Sequence, residues 1–280
     1  MSFDARGKGS LNYGPCQYDR TRLMFRGPRR RLDAPYIAFL GGTETYGKYI
    51  RTPFPALVET ALGVNCVNFG IPNAGIDAFA NDIFVLDAAH GAEVTVLQVL
   101  GAHNLSNRFY TVHPRRNDRF VAASKALRGI FKDVDFAEFN FNKHMLRDLH
   151  ALAPDRFEVV RDEIQTAWVS RMRTFLDRIP GRTLLLWIGR EAPGDNPDLE
   201  VEPLDTACEP LMVTRAMLDA VAQEADGVVE VVASEAALAA GTEGMVFNPM
   251  DAAVAAEMLG PKVHGEVAAQ LETVLEPLVT

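Results

Sequence analysis

Cysteine is scarce in this sequence. Cys16, Cys66 and Cys208 are the only 3 cysteines in 280 residues, and they lie far apart with no CxxC pair. A disulfide framework needs an even set of cysteines, and a structural zinc site needs closely spaced ones. The spacing indicates neither, so we expect unpaired thiols.

Long apolar runs are also missing. No segment reaches the roughly 18 uncharged apolar residues that a membrane-spanning helix needs. The first residues, MSFDARGKGSLNYG, hold no apolar stretch of the kind that signal peptides carry. We therefore expect no membrane span and a cytoplasmic location.

Positive charge is in deficit. Lys and Arg number 28 against 37 Asp and Glu, which gives a formal net charge of -9. Binding to nucleic acid requires clustered positive charge in excess, so we expect no nucleic-acid partner. The 6 histidines show no HExxH or paired spacing. The sequence accordingly predicts no metal site and no cofactor, and it does not indicate an oligomeric state.

Apolar residues make up 48% of the chain and are concentrated in short runs separated by helical patterns. Near-continuous apolar runs of strand length are typical of parallel strands covered on both faces. The pattern predicts an α/β fold: a doubly wound, flavodoxin-like parallel sheet of about five strands with helices on both faces. The predicted strands are Tyr36 to Leu40, Asn65 to Phe69, Val94 to Leu100, Thr183 to Ile188 and Val228 to Val232.

Two segments depart from this rhythm. Residues 1–34 show no sustained period and are predicted to form an N-terminal arm packed on the α/β domain of residues 35–280. Residues 103–178, after the third strand, are predicted to form a helical insertion. The apolar stripe of its second half, from Arg156 to Arg178, is typical of a helix packed on the core.

Polar, glycine-rich loops follow the first three predicted strands. They read GGTETYG from Gly41, NFGIPNAG from Asn68 and GAHN from Gly101, and a related segment, GPKVHG, precedes the last helix. The carboxyl ends of parallel strands share one edge of the sheet, where open α/β folds bind ligands. The loops therefore predict a site at that edge.

These blocks resemble those of the SGNH (GDSL-like) hydrolase superfamily. GGTETYG is similar to the block G-D-S-x-T-x-G, with Gly42 before Thr43 at the position of the nucleophile. VHG near the carboxyl end resembles the block that carries the base, which would make His264 the base. The resemblance also implies an oxyanion hole or pocket from residues of the first three loops, namely Gly42, Gly70, Asn73, Gly75, His103 and Asn104.

The sequence departs from that superfamily at several positions. Thr43 replaces serine, Gly42 replaces the acidic residue, and Pro261 stands where the aspartate that orients the base is expected. Another group, such as Asp251 or a backbone carbonyl, would then have to orient His264. The whole sequence is also similar to an uncharacterised bacterial family of unknown function, and this similarity implies no activity.

Each of these residues also has a structural interpretation. Thr43 is a suitable helix N-cap, and His264 precedes an apolar helix where a histidine is often a cap or a surface residue. His103 and Asn104 would line a pocket without reacting. Asn73, in a Pro-Asn-Ala-Gly turn, tolerates left-handed backbone geometry.

The insertion carries basic and aromatic residues in its first half. They are predicted to bind a ligand by forked hydrogen bonds and ring stacking, or else to form a surface loop held by ion pairs. The predicted ligand-binding residues are Arg108, Tyr110, His113, Arg115 and Arg116.

Two functions are consistent with the sequence. The first is an SGNH-like ester hydrolase or O-acyltransferase acting on an acylated small molecule or glycan, with Thr43 as nucleophile and His264 as base. The second is a catalytically inactive SGNH-like protein that binds an anionic or saccharide ligand, in a role linked to polysaccharide production. The missing carboxylate at Pro261 favours the second.

Overall fold

The computed structural model describes residues 9–194 and 209–279. Seven strands are described within these ranges: β1 (Tyr36–Gly41), β2 (Asn65–Gly70), β3 (Val94–Gln98), β4 (Tyr110–His113), β5 (Arg116–Ala123), β6 (Thr183–Gly189) and β7 (Gly227–Val232). The helices are α1 (Thr43–Tyr46), α2 (Phe54–Leu62), α3 (Ile76–Ala80), α4 (Ile83–His90), α5 (Lys125–Ile130), α6 (Asn142–Leu152), α7 (Pro154–Asp177), α8 (Arg215–Ala222), α9 (Glu235–Ala239), α10 (Ala252–Glu257) and α11 (Pro261–Val279). Short 3₁₀ helices span Phe136–Glu138 and Pro249–Asp251.

Five strands form one parallel sheet in the order β2-β1-β3-β6-β7. Numbered within the sheet alone, this is the 2-1-3-4-5 order of a flavodoxin-like, doubly wound fold. The predicted fold class and all five predicted strands are confirmed. The third strand is shorter than its apolar run predicts, because the ladder ends at Gln98.

Side chains that alternate along β1 divide the core between the two faces of the sheet. Ile37 and Phe39 pack against α2 and α11 in one apolar cluster. Ala38 and Leu40 belong to the other cluster, which includes the buried sides of α3, α4, α7 and α8. Both faces are therefore covered by helices, which explains why the strands are apolar without alternation.

The insertion after β3 is not purely helical, and this corrects the sequence-based prediction. The antiparallel hairpin of β4 and β5 precedes α5, α6 and α7. The hairpin alternates polar and apolar residues only weakly and contains a bulge, so it lacks a clear period of two. The predicted stripe on α7 is buried, and the indole of Trp168 donates to the Leu100 carbonyl at 2.9 Å.

The N-terminal segment packs on the domain through Tyr18, Leu23 and Phe25. Its Arg26 guanidinium is buried beneath the segment that follows α1. The guanidinium donates four hydrogen bonds to backbone carbonyls, those of Tyr46, Gly47, Ile50 and Arg51, at 3.1, 2.7, 2.8 and 2.8 Å. The arm thereby holds the segment of residues 46–51, which follows the short helix that begins at Thr43.

In the part of the chain that the structure describes, no helix is both long enough and apolar enough to cross a membrane.

Candidate functional site

A cavity of about 590 Å³ opens where β1 and β3 end side by side. The connections after these two strands leave in opposite directions, and open parallel sheets bind ligands at such a switch point. We call this the strand-end cavity. It is lined by Gly42, Thr43, Glu44, Lys48, Asn73, Ala74, Gln98, Val99, Leu100, Gly101, His103, Asn104, Asp118, Phe141, Lys143, His144, Arg147, Glu209, Pro210, Val254, Glu257 and Met258.

Thr43 is bonded to the loop after β2. Its hydroxyl donates to Asn73 Oδ1 at 3.2 Å and accepts from the Asn73 N–H at 3.0 Å. The N-cap of α1 is Gly42, which provides no side-chain hydrogen bond, so Thr43 is not the cap. The hydroxyl instead joins two walls of the cavity.

Two asparagines form the wall beyond Thr43. Asn73 has a φ of 56°, which confirms its interpretation as a left-handed turn residue. Asn104 Nδ2 donates to the Asn73 carbonyl at 3.3 Å, and the Asn104 Oδ1 accepts from Asn142 of α6 at 3.1 Å. The insertion is thus linked to the loops after β2 and β3.

Gln98 at the end of β3 organises the other side. Its Oε1 accepts from the Gly42 N–H at 2.9 Å and from the Thr45 hydroxyl at 2.6 Å. Its Nε2 donates to Glu44 Oε2 at 2.8 Å. Desolvation raises the pKa of Glu44, although the hydrogen bond from Gln98 opposes that change.

His103 is 1% exposed, and neither ring nitrogen has a hydrogen-bond partner among the described residues. Its Nε2 lies 3.9 Å from Glu209 Oε1, which is too far for a hydrogen bond. Burial lowers the pKa of His103 to about 4, so the ring is neutral at pH 7. A neutral imidazole has one donor and one acceptor nitrogen, and here neither has a partner within the described residues.

An ion pair lies beside this ring. Lys143 Nζ, from the first turn of α6, contacts Glu209 Oε1 at 2.5 Å, and the Leu211 N–H donates to the other carboxylate oxygen at 3.1 Å. Burial alone would raise the pKa of Glu209, but attraction to His103 and Lys143 outweighs it and lowers the pKa. The pair connects the insertion to the segment that follows β6.

His264 lies elsewhere. It is the fourth residue of α11, is 3% exposed, and stacks on Phe54 with ring centroids 5.8 Å apart. Its Nδ1 accepts from the Phe54 backbone N–H at 3.2 Å, so the neutral ring carries its proton on Nε2 and has no nitrogen left to accept another. Burial lowers its pKa to about 3. His264 is absent from the cavity lining, and its assignment as base is not retained.

The predicted oxyanion amides are already bonded. The Gly70 N–H donates to Asn68 Oδ1 at 2.8 Å, and the Gly75 N–H donates to Asn117 Oδ1 at 3.0 Å. Neither glycine lines the cavity. Their role is close packing: a Cβ on Gly70 would lie 2.2 Å from the Tyr46 nitrogen, and one on Gly75 would lie 1.7 Å from the Asn104 carbonyl oxygen.

The ligand-binding residues predicted in the insertion also lie outside the cavity lining. Arg108 pairs with Glu163 of α7 at 3.0 Å, and the buried Tyr110 hydroxyl donates to the His103 carbonyl at 2.7 Å. His113 accepts from the Arg115 N–H at 3.2 Å within the hairpin, and Arg116 is exposed. These contacts match the alternative of a surface segment held by local bonds.

No group of three or more metal-ligating side chains is placed to hold an ion within residues 9–194 and 209–279.

A model of the family described as "Domain of unknown function (DUF6473)" matches residues 1–279. The chain belongs to this family. The family's description carries no activity, which agrees with the resemblance to a family of unknown function and leaves membership in the SGNH superfamily undecided.

Among solved structures, this family member is similar to the crystal structure of the lipase Lip_vut3 from a goat rumen metagenome. The match has 9% identity and a TM-score of 0.44, and it covers 86% of this chain and 97% of the lipase. So distant a match carries no functional argument, and the fold assignment depends on the strand order. A search of curated proteins found no match.

Several cavity residues were not predicted from the sequence. Gln98 could have been predicted as a cavity residue, because it is a polar residue at the end of a buried strand. Glu44 could also have been predicted, because it is the one carboxylate within GGTETYG. No feature of the sequence marks Lys143, Glu209 or Phe141, because loops and helix ends bring them to the cavity and these positions follow no periodic pattern.

Proposed function

We propose that this protein binds a small, uncharged, hydroxyl-rich molecule, such as a saccharide, in the strand-end cavity. The observation that carries the proposal is His103, a buried neutral ring in the cavity wall whose two nitrogens have no partner among residues 9–194 and 209–279. An unsatisfied buried polar group costs about 1–3 kcal/mol. A ligand hydroxyl that donates to one nitrogen, or accepts from the other, offsets that cost.

Charge in the cavity favours an uncharged ligand over an anionic one. The lining contains four carboxylates, from Glu44, Asp118, Glu209 and Glu257, and three permanent cations, from Lys48, Lys143 and Arg147. Lys143 is paired with Glu209, and Arg147 is paired with Asp148 at 3.2 Å. The described lining therefore has no excess of positive charge for a phosphate or sulfate.

The other polar side chains in the wall suit hydroxyl groups. Thr43, Asn73 and Asn104 present hydroxyl and amide groups, each of which donates and accepts. These groups are bonded to one another and to Asn142, and a saccharide hydroxyl, which also donates and accepts, can use the lone pairs and N–H groups that those bonds leave.

Isothermal titration calorimetry with matched pairs of ligands tests the proposal. The neutral sugars glucose and galactose are compared with the anionic sugars glucose 6-phosphate and glucuronate. We expect the neutral sugars to bind more tightly. His103→Phe keeps a flat ring but removes both nitrogens, and we expect it to lower affinity about tenfold or more.

His113→Phe is the matched control, since His113 lies in the hairpin outside the cavity lining. We expect wild-type affinity for this variant. Tighter binding of the charged ligands, or equal affinity of His103→Phe and wild type, would contradict the proposal.

Ester hydrolysis or acyl transfer at Thr43, as in an SGNH-like enzyme, is the second candidate. The favouring observation is that Thr43 lines the same cavity as His103, and that Glu209 lies 3.9 Å from the His103 ring. In this reaction His103 takes the Thr43 proton while Oγ1 bonds to the ester carbonyl carbon. The alcohol leaves with that proton, and water then hydrolyses the acyl-threonine.

This candidate ranks second because the Thr43 hydroxyl donates to Asn73, not to a base. Turnover of p-nitrophenyl acetate or of acetylated sugars that disappears in both Thr43→Ala and His103→Phe would place it first. Absence of turnover in the wild-type protein would exclude it for these esters.

A further inference from the structure

The outer part of the strand-end cavity is built by the insertion. Asp118 comes from β5, Phe141 precedes α6, and His144 and Arg147 lie on α6. We call these four residues the mouth of the cavity. The proposed contacts of Thr43 and His103 do not involve them, so they need a separate explanation.

Phe141 is an exposed aromatic residue in a fixed position. The residue is 41% exposed although it lines the cavity. A backbone bridge to Arg119 and a hydrogen bond from the Phe120 N–H to the Asn140 carbonyl at 3.1 Å hold this segment against β5. The Arg119 guanidinium carbon lies over the ring, 4.0 Å from its centroid.

That arrangement suits a stacked ligand. An exposed aromatic ring is stabilised when a ligand covers its apolar surface. The cation of Arg119 over one face orients the ring but leaves part of it uncovered. Because the backbone and Arg119 hold Phe141 in advance, a flat apolar surface can stack on it without first ordering the side chain.

Hydrogen-bonding groups surround the ring. The Asp118 carboxylate forms no ion pair with any described residue, and it lines the same cavity as Phe141, one position before the Arg119 that bridges to it. His144 Nε2 contacts Asp148 at 3.0 Å, which fixes the orientation of its ring at the mouth. A ligand here meets an aromatic face together with acceptors for its hydroxyl groups.

We infer that the mouth is a second saccharide subsite, in which the apolar face of a pyranose stacks on Phe141 while its hydroxyls donate to Asp118. The inference builds on the proposed function. It specifies the ligand as at least a disaccharide, with one ring near His103 and the next on Phe141. A pyranose presents C–H groups on one face and hydroxyls around its edge, which is the combination that the mouth offers.

Calorimetry with glucose, galactose, maltose, cellobiose and lactose tests the inference. We expect at least one disaccharide to bind about tenfold more tightly than its component monosaccharide. Phe141→Ala should remove that gain, so that the disaccharide binds no more tightly than its component monosaccharide, and Asp118→Asn should reduce the gain. Saturation-transfer NMR should show that the C–H protons of one ring lose their contact in Phe141→Ala.

Leu152→Ala is the control, because Leu152 is a 51% exposed apolar residue at the end of α6 and outside the cavity lining. It should keep the wild-type preference for the disaccharide. Equal affinities for mono- and disaccharides, or an equal loss of both in Phe141→Ala, would overturn the subsite but not the proposed function. Failure of every sugar to bind would overturn both, and adenosine or uridine binding lost in Phe141→Ala would assign the ring to a nucleobase instead.

Discussion

Two histidines are equally buried in this molecule but lie in different regions. His264 is 3% exposed between α2 and α11, and His103 is 1% exposed at the end of β3. Burial lowers the pKa of both rings. They differ at the nitrogens, because His264 accepts from the Phe54 N–H whereas His103 has no partner among the described residues.

This difference separates a structural histidine from one that is available to a ligand. The ring of His264 accepts a hydrogen bond from a backbone N–H at the start of α2 and packs on Phe54, so its acceptor nitrogen is already used within the fold. The ring of His103 satisfies nothing in the described chain and borders a cavity of about 590 Å³. Burial and a lowered pKa are therefore insufficient signs of a functional histidine.

The largest expected effect is on stability at His264. His264→Ala leaves a void beside Phe54 and removes the acceptor for its N–H, so we expect a loss of about 3 kcal/mol in the free energy of unfolding. Urea denaturation measures it. His90→Ala, at the exposed end of α4, should cost less than about 1 kcal/mol. A His264→Ala protein that kept wild-type stability but no longer bound saccharide would contradict the structural role of His264.

The second effect is the pH dependence that His264 contributes. Its pKa is about 3 in the folded protein and near its usual value of 6.5 when unfolded, so below pH 6.5 only the unfolded state takes up a proton. The contribution is present above pH 6.5 and is lost as the pH falls towards 3. Between pH 7 and pH 5, His264→Ala should lose about 2 kcal/mol less than wild type. Parallel curves from urea titrations would show that the ring does not behave as a buried neutral group.

A smaller effect concerns the charges around His103. Burial has the largest effect on the pKa of His103 and lowers it; attraction to Glu209 opposes burial by raising the pKa, whereas repulsion from Lys143 lowers it further. Glu209→Gln removes the attraction and should lower the pKa of His103 further, while leaving that of His264 unchanged. NMR titration of the two rings measures this. A shift at His264, or none at His103, would show that the two regions are not electrostatically separate.

The smallest effect is expected at Thr43. Thr43→Val keeps the shape but breaks both hydrogen bonds to Asn73, so we expect a loss of about 1 kcal/mol in stability and a few-fold loss of saccharide affinity. Thr43→Ser should restore both. Thermal unfolding and calorimetry measure the pair of variants, and full saccharide affinity in Thr43→Val would exclude the hydroxyl from binding.

Local pattern predicted the sheet and the edge at which its polar loops meet. Continuous apolar runs are sufficient to mark buried parallel strands, and the loops that follow them must meet at one edge. Thr43, Asn73, His103 and Asn104, which the resemblance to the SGNH blocks implied within those loops, line one cavity. Topology explains their proximity, since each of these residues lies within a few positions of a strand end.

Prediction was weaker where function depended on the direction of a side chain. The block containing His264 was located at the start of α11, but the sequence does not show that its Nδ1 is bonded to Phe54. Likewise, Gly75 matched a block expected to supply an amide, whereas the structure uses it because no Cβ fits beside Asn104. Lys143 and Glu209 meet across segments 66 residues apart, and no periodic signal encodes such a contact.

The four carbonyls held by Arg26 have a practical consequence for anyone shortening the protein. Deleting the amino-terminal segment, as is often done to help crystals grow, would remove the donor to all four. Residues 46–51 would then lose these hydrogen bonds, so failure of a shortened protein to take up sugar would not by itself show that Thr43 or His103 makes no contact with it.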